Sequence, residues 1–198
     1  YNTFFDNSDD AIDLDGRIEI IIEHNLIYDN DDDGIEIRLH PFGGSRYRDC
    51  IINWNVIRNN GEDGIQLIDY GSESRRRFFI SRNLIIDNVM AGIGCMGDEN
   101  TIENYEGYPI PVPIFVNNNV FSGNNHGITG GDSLIAWNNM ILQHTVLGMK
   151  NVRGHSEVDY NLFWQNGSDS DSTNIGANNR FNMDPLINAD YTLQYGSP

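Results

Sequence analysis

The chain has 198 residues, with 12 basic against 29 acidic side chains and a formal net charge of −17. That balance argues against a nucleic-acid partner, which needs a basic footprint. At 39% hydrophobic residues the chain can bury one continuous core, and no stretch in it reads as a membrane span, so membrane insertion is not expected.

Taken in chain order, the dominant signal is a repeat. Seven times an Asn precedes two mostly apolar residues: Asn2-Thr3-Phe4, Asn25-Leu26-Ile27, Asn55-Val56-Ile57, Asn83-Leu84-Ile85, Asn119-Val120-Phe121, Asn139-Met140-Ile141 and Asn161-Leu162-Phe163. A second Asn follows at Asn7, Asn30, Asn60, Asn88, Asn124 and Asn166, with His144 breaking the column. A small residue comes next: Ala11, Gly34, Gly64, Gly92, Gly127 or Gly148. The intervals between lead Asn residues are 23, 30, 28, 36, 20 and 22, which sets a unit near the shortest values and insertions in the rest. The apolar runs Ile18 to Ile22, Ile35 to Leu39, Ile51-Ile52 and Ile65 to Ile68 are short and β-branched, with no sustained helical period. The expected fold class is all-β, a right-handed parallel β-helix of about seven coils with three short strands per coil. Both the Asn and Gly columns read as structural, because Asn and Gly suit turns and stacked Asn side chains can bond along the axis.

The whole chain, 1–198, reads as one β-helix domain, with an irregular C-terminal segment over 167–198. Residue 1 already falls inside a repeat, so the expectation is a fragment whose N-terminal coils lie upstream. Cys50 and Cys95 occupy different points of their coils and are expected to be free, buried thiols.

A second column precedes the small residue. Asp9-Asp10 comes before Ala11, Asp32-Asp33 before Gly34 and Glu62-Asp63 before Gly64. Strand alternation turns Asp13, Glu36 and Gln66 outward two residues later. Coils stacked about 4.8 Å apart crowd these carboxylates into one patch. Such a patch either holds a cation, with Ca²⁺ the fitting hard ion for clustered oxygens, or the second Asp of each pair caps its turn.

Arg38 and His40 extend the outward face of Glu36. The run Glu36, Arg38, His40 reads either as a base with a charge stabiliser or as a solvated strand face. Basic and aromatic residues gather in two insertions after this strand: Arg46, Tyr47 and Arg48 in His40 to Asp49, and Tyr70, Arg75, Arg76 and Arg77 in Tyr70 to Arg77. Arginine forks and ring faces suit an acidic polysaccharide, and they equally suit neutralisation of a very acidic surface. A third insertion runs from Gly97 to Pro113. Lys150 shares the coil position of Glu36 but lies several coils away.

The chain resembles the right-handed parallel β-helix repeat proteins of the pectate-lyase-like superfamily. The segment Asn7-Ser8-Asp9-Asp10-Ala11-Ile12-Asp13-Leu14 is similar to the calcium-site segment of the family nine pectate lyases. The resemblance implies Asp9, Asp10 and Asp13 as Ca²⁺ ligands and Ca²⁺-assisted β-elimination of an acidic polysaccharide; the stacked acid column adds Asp33 as an expected further ligand. In those enzymes the base is a Lys at the position held here by Glu36, which leaves Arg38 as the nearest substitute. Asp184-Pro185-Leu186 and Asp190-Tyr191-Thr192-Leu193-Gln194-Tyr195-Gly196-Ser197-Pro198 look like the closing motif of secreted bacterial members, which implies an extracellular or cell-surface location. The acid pairs also resemble those of polygalacturonases, whose Gly-His-Gly and Arg-Ile-Lys motifs are absent. The remaining reading is a non-catalytic glycan-binding or surface module.

Overall fold

The computed structural model describes residues 1–42, 44–71, 75–98 and 105–197, so parts of all three insertions lie outside the described residues. The chain winds into a parallel β-helix with three all-parallel sheets of eight, seven and six strands. Sheet I holds the apolar triplets, from Thr3–Phe5 to Arg180–Phe181. Sheet II holds Asp13–Leu14, Ile35–Leu39, Ile65–Asp69, Ala91–Gly97, His126–Thr129, Leu147–Lys150 and Ser168–Asp171. Sheet III holds Ile20–Glu23, Arg48–Asn53, Arg76–Ser81, Ile114–Asn117, Leu134–Trp137 and Glu157–Asp159. Two strands, Ser168–Asp171 and Arg180–Phe181, fall inside the C-terminal stretch expected to be irregular. Among the described residues no helix is long and apolar enough to cross a membrane.

Strand alternation fills the core. Ile27, Ile57, Ile85, Phe121, Ile141 and Phe163 sit in register on successive strands of sheet I and are fully buried. Burial of one such side chain contributes about 1.5–3 kcal/mol, so the stacked column is a main source of stability.

The lead Asn column is a hydrogen-bonded ladder. The Oδ1 of Asn55 accepts both the backbone N–H of Asn25 at 3.0 Å and its Nδ2–H at 3.1 Å. The same double acceptance repeats at Asn83, Asn119, Asn139 and Asn161. A carboxamide joins an acceptor oxygen to two N–H donors, which a carboxylate lacks and a Ser hydroxyl only half supplies. The ladder ends on Asn179, an eighth copy 18 residues after Asn161. The left-handed residue is not the Asn but the one before it: His24, Trp54, Arg82, Asn118, Asn138 and Tyr160 all have φ between 56° and 59°.

The Gly column also has a reason other than the expected turn geometry. A Cβ on Gly34 would lie 2.6 Å from the carbonyl oxygen of Gly64 and 2.9 Å from Nδ2 of Asn60. Close approach of neighbouring coils, not a positive φ, requires glycine there. Cys50 and Cys95 are buried free thiols on sheets III and II, as expected.

Candidate functional site

The second acid of each pair faces the next coil. Asp10 Oδ1 accepts the N–H of Asp33 at 3.0 Å, Asp33 Oδ1 that of Asp63 at 2.6 Å, and Asp63 Oδ1 that of Ala91 at 2.5 Å. Capping therefore operates between coils, and it buries carboxylates: Asp33 and Asp63 are fully enclosed. The Asp63 carboxylate also fills the outer face of sheet II, where a Cβ on Gly94 would lie 1.7 Å from its Oδ2.

The first acids and the outward row surround this ladder. Asp13, Glu36, Gln66 and Gly94 are register partners across sheet II, as the alternation implied. Three carboxylate triads each bring one oxygen per residue within 4.8 Å of the others: Asp9–Asp10–Asp32, Asp10–Asp13–Glu36 and Asp32–Asp33–Glu62. Burial, with the charges of Asp32, Asp9 and Asp13, pushes Asp10 up to about 6 against the opposing hydrogen bond from Asp33. Burial and the Asp10 charge push Glu36 up to about 7, with Arg38 pulling the other way. Asp33 is raised well above the ordinary carboxylate range by burial and by Asp63. In each case burial is the leading cause and the neighbouring carboxylate charges add to it.

Arg38 is the charge partner of this patch. Its Nη1 lies 2.7 Å from Asp13 Oδ1, and its Nη2 pairs with Glu36 Oε1. Burial acts to lower its pKa, but the Asp13 hydrogen bond and the Glu36, Asp13 and Asp15 charges outweigh it, and the net shift is upward. A guanidinium held this way keeps its proton and cannot act as a base. His40 pairs with Asp15 at 3.1 Å and lies 4.1 Å from the Tyr70 ring. A hollow of about 230 Å³ runs beside the patch, bordered by Asp32, Glu36, Arg38, Glu62, Tyr70 and Asp98.

The other basic residues are placed elsewhere. Arg46 and Arg48 both bind Glu19, at 2.9 and 2.8 Å. Arg77 binds Asp49 at 2.8 Å and lies over Tyr47, on the outer face of sheet III. Arg76 is fully buried, under Phe42 and beside the His40 carbonyl. The physical reason is strand parity: sheet III starts at Arg48 and Arg76, so both point to the side of Cys50 and Phe78. Arg75 is exposed and offers its carbonyl to the N–H of Arg48. Of the candidate polysaccharide contacts, Tyr70 alone lines the hollow. Asp32 and Glu62, read from the sequence as members of the acid column, border the hollow, and so does Asp98, which the sequence did not single out.

No protein-family model matches this chain, and no curated protein or solved structure matches it. The chain is a parallel β-helix. That statement rests on its three stacked parallel sheets.

Proposed function

We propose that this β-helix is a carbohydrate-active protein that holds Ca²⁺ on its acid ladder and engages an acidic polysaccharide there. The observation that carries the reading is the set of three overlapping carboxylate triads beside an open hollow. The donors fit the ion. Calcium takes 6–8 oxygens at about 2.3–2.6 Å, so oxygens on opposite sides of it lie up to about 5 Å apart. Asp9, Asp10 and Asp32 meet that span, leaving coordination for water and a substrate carboxylate. Bound there, Ca²⁺ would neutralise a uronate carboxylate and acidify the adjoining C–H.

The chain's own residues divide the remaining work. Glu36, at the patch beside Arg38, is the group we assign to accept the proton as the C–O bond to the leaving sugar breaks, with water protonating that oxygen. Arg38 balances charge, and Tyr70 offers a ring to a sugar face. Asp13 is tied to Arg38 and fixes that guanidinium, while Asp33 secures the ladder. Glu36 thus takes the position at which the lyases carry Lys. The test is absorbance of unsaturated product from polygalacturonate and alginate, with and without chelator. Ca²⁺-dependent product that drops at least a hundredfold in Glu36→Gln supports the reading. No product on either substrate contradicts the catalytic half.

A second reading, a non-catalytic glycan-binding module, is favoured by the pairing of Arg38 with both Asp13 and Glu36. It predicts retardation by polyuronate in native gels with no product. The polygalacturonase-like alternative is disfavoured, because inverting acids stand about 6.5–9.5 Å apart, whereas these crowd within 4.8 Å.

A further inference from the structure

The C-terminal segment folds back over the outer face of sheet I. Its hairpin is closed by the antiparallel bridge Ile187–Leu193 and by the Asn188 N–H donating to the Thr192 carbonyl at 2.8 Å. Asp190 Oδ1 accepts from both the N–H and the hydroxyl of Thr192, at 3.1 and 2.6 Å, which fixes the tip. Two hollows lie between this hairpin and the corner that carries the left-handed residues. One, of about 640 Å³, is bordered by Asn138, Met140, Tyr160, Leu162 and Leu193. The other, of about 520 Å³, is bordered by Trp54, Arg82, Leu84, Asn118, Val120 and Tyr191. Leu84, Val120, Met140 and Leu162 are register partners on successive strands, so the two hollows share one floor.

We infer that this furrow binds an extended neutral glycan chain, at a site separate from the acidic patch and independent of the function proposed for it. The floor is a row of half-buried aliphatic side chains at the coil repeat. The corner wall presents the carboxamides of Asn118 and Asn138, both exposed and bonded to no other side chain among the described residues. Trp54 and Tyr160 stand half-exposed at its two ends, at 52% and 56%. Apolar floor with amide and phenol walls suits a chain that presents C–H faces and hydroxyls.

Charge selects the polymer. The furrow carries Arg82 and Arg180 against Asp190, in a protein of net charge −17. That is close to neutral: it does not repel an uncharged chain, and it is too weakly positive to hold a polyanion. An extended peptide is disfavoured because every floor strand is paired on both sides, so no open edge exists for strand addition.

The test is affinity electrophoresis in native gels containing xylan, mixed-linkage β-glucan or galactomannan, with chelator present. Retardation of the wild type by at least one of them, a tenfold or greater loss of apparent affinity in Asn118→Ala/Asn138→Ala, and wild-type behaviour of Asp13→Ala support the inference. Three results would overturn it: no retardation by any neutral glycan, equal retardation of the double variant, or loss of retardation in Asp13→Ala. Titration with a proline oligomer that the double variant abolishes would also overturn it, in favour of a peptide. Activity on polyuronates should be unchanged in Asn118→Ala/Asn138→Ala and reduced in Asp13→Ala, so the two proposals fail separately.

Discussion

The carboxylate of Asp33 accepts the backbone N–H of Asp63, one coil away, at 2.6 Å. A residue that reads as a turn cap within its own coil is thus a joint between coils, and its charge is buried there by the joint. The same contact links Asp10 to Asp33 and Asp63 to Ala91. It separates two roles of one side chain, acceptor and charge.

Those roles are separable by substitution. Asp33→Asn keeps an acceptor oxygen and removes a like charge, so without divalent cations its urea midpoint should equal or exceed that of the wild type. Asp33→Ala leaves the Asp63 N–H without its acceptor and should cost about 1–3 kcal/mol. Equal loss in both variants would show that the charge, not the acceptor, holds the coils.

Gly94→Ala should destabilise the protein by about 1–3 kcal/mol, since its Cβ would enter the space of the Asp63 carboxylate. The variant should also disturb the acidic patch, read as weakened Ca²⁺ binding. A thermal midpoint unchanged from wild type would contradict the packing described for Asp63.

His144 interrupts the second Asn column, and it is buried. Burial drives its pKa down to about 4, aided by His126 and opposed by the Asn124 carbonyl. The folded state therefore binds fewer protons than the unfolded state. Its contribution to stability is present above the ordinary histidine pKa and is lost as pH falls from about 6.5 toward 4. His144→Asn removes this penalty, on the order of 3 kcal/mol at the acid end. Urea unfolding from pH 7 to 4.5 should show a shallower acid decline in the variant. Raised carboxylates such as Asp10 and Glu36 act in the opposite direction, so the comparison is between variant and wild type in identical buffers.

Much of the fold was legible because the Asn ladder demands one chemistry at one spacing, and the register of sheet II followed from it. The eighth copy was not, because Asn179-Arg180-Phe181 lacks the apolar pair and comes after a short interval. The acid column was legible as a cluster, whereas the partner of each carboxylate was not, because that partner is a backbone N–H of another coil and has no sequence signature. Arg76 was read as a surface arm, but its strand begins before the apolar run and it is buried, whereas Arg48 stays half-buried and paired with Glu19.

Cys50 offers a check on the core. Burial pushes its thiol up to about 11. Neither Cys50 nor Cys95 should react with a thiol reagent on the timescale of minutes in the native protein, and both should react in denaturant. Fast reaction of either thiol without denaturant would contradict the coil packing.

Calorimetric titration of Ca²⁺ into chelator-treated protein tests the central claim most directly. The acid ladder predicts saturable binding at micromolar to millimolar Ca²⁺, weakened at least tenfold in Asp9→Ala and Asp32→Ala, with Arg46→Ala unchanged. Absence of binding at millimolar Ca²⁺, or binding indifferent to Asp9 and Asp32, would contradict it and leave the acid column as a coil joint alone.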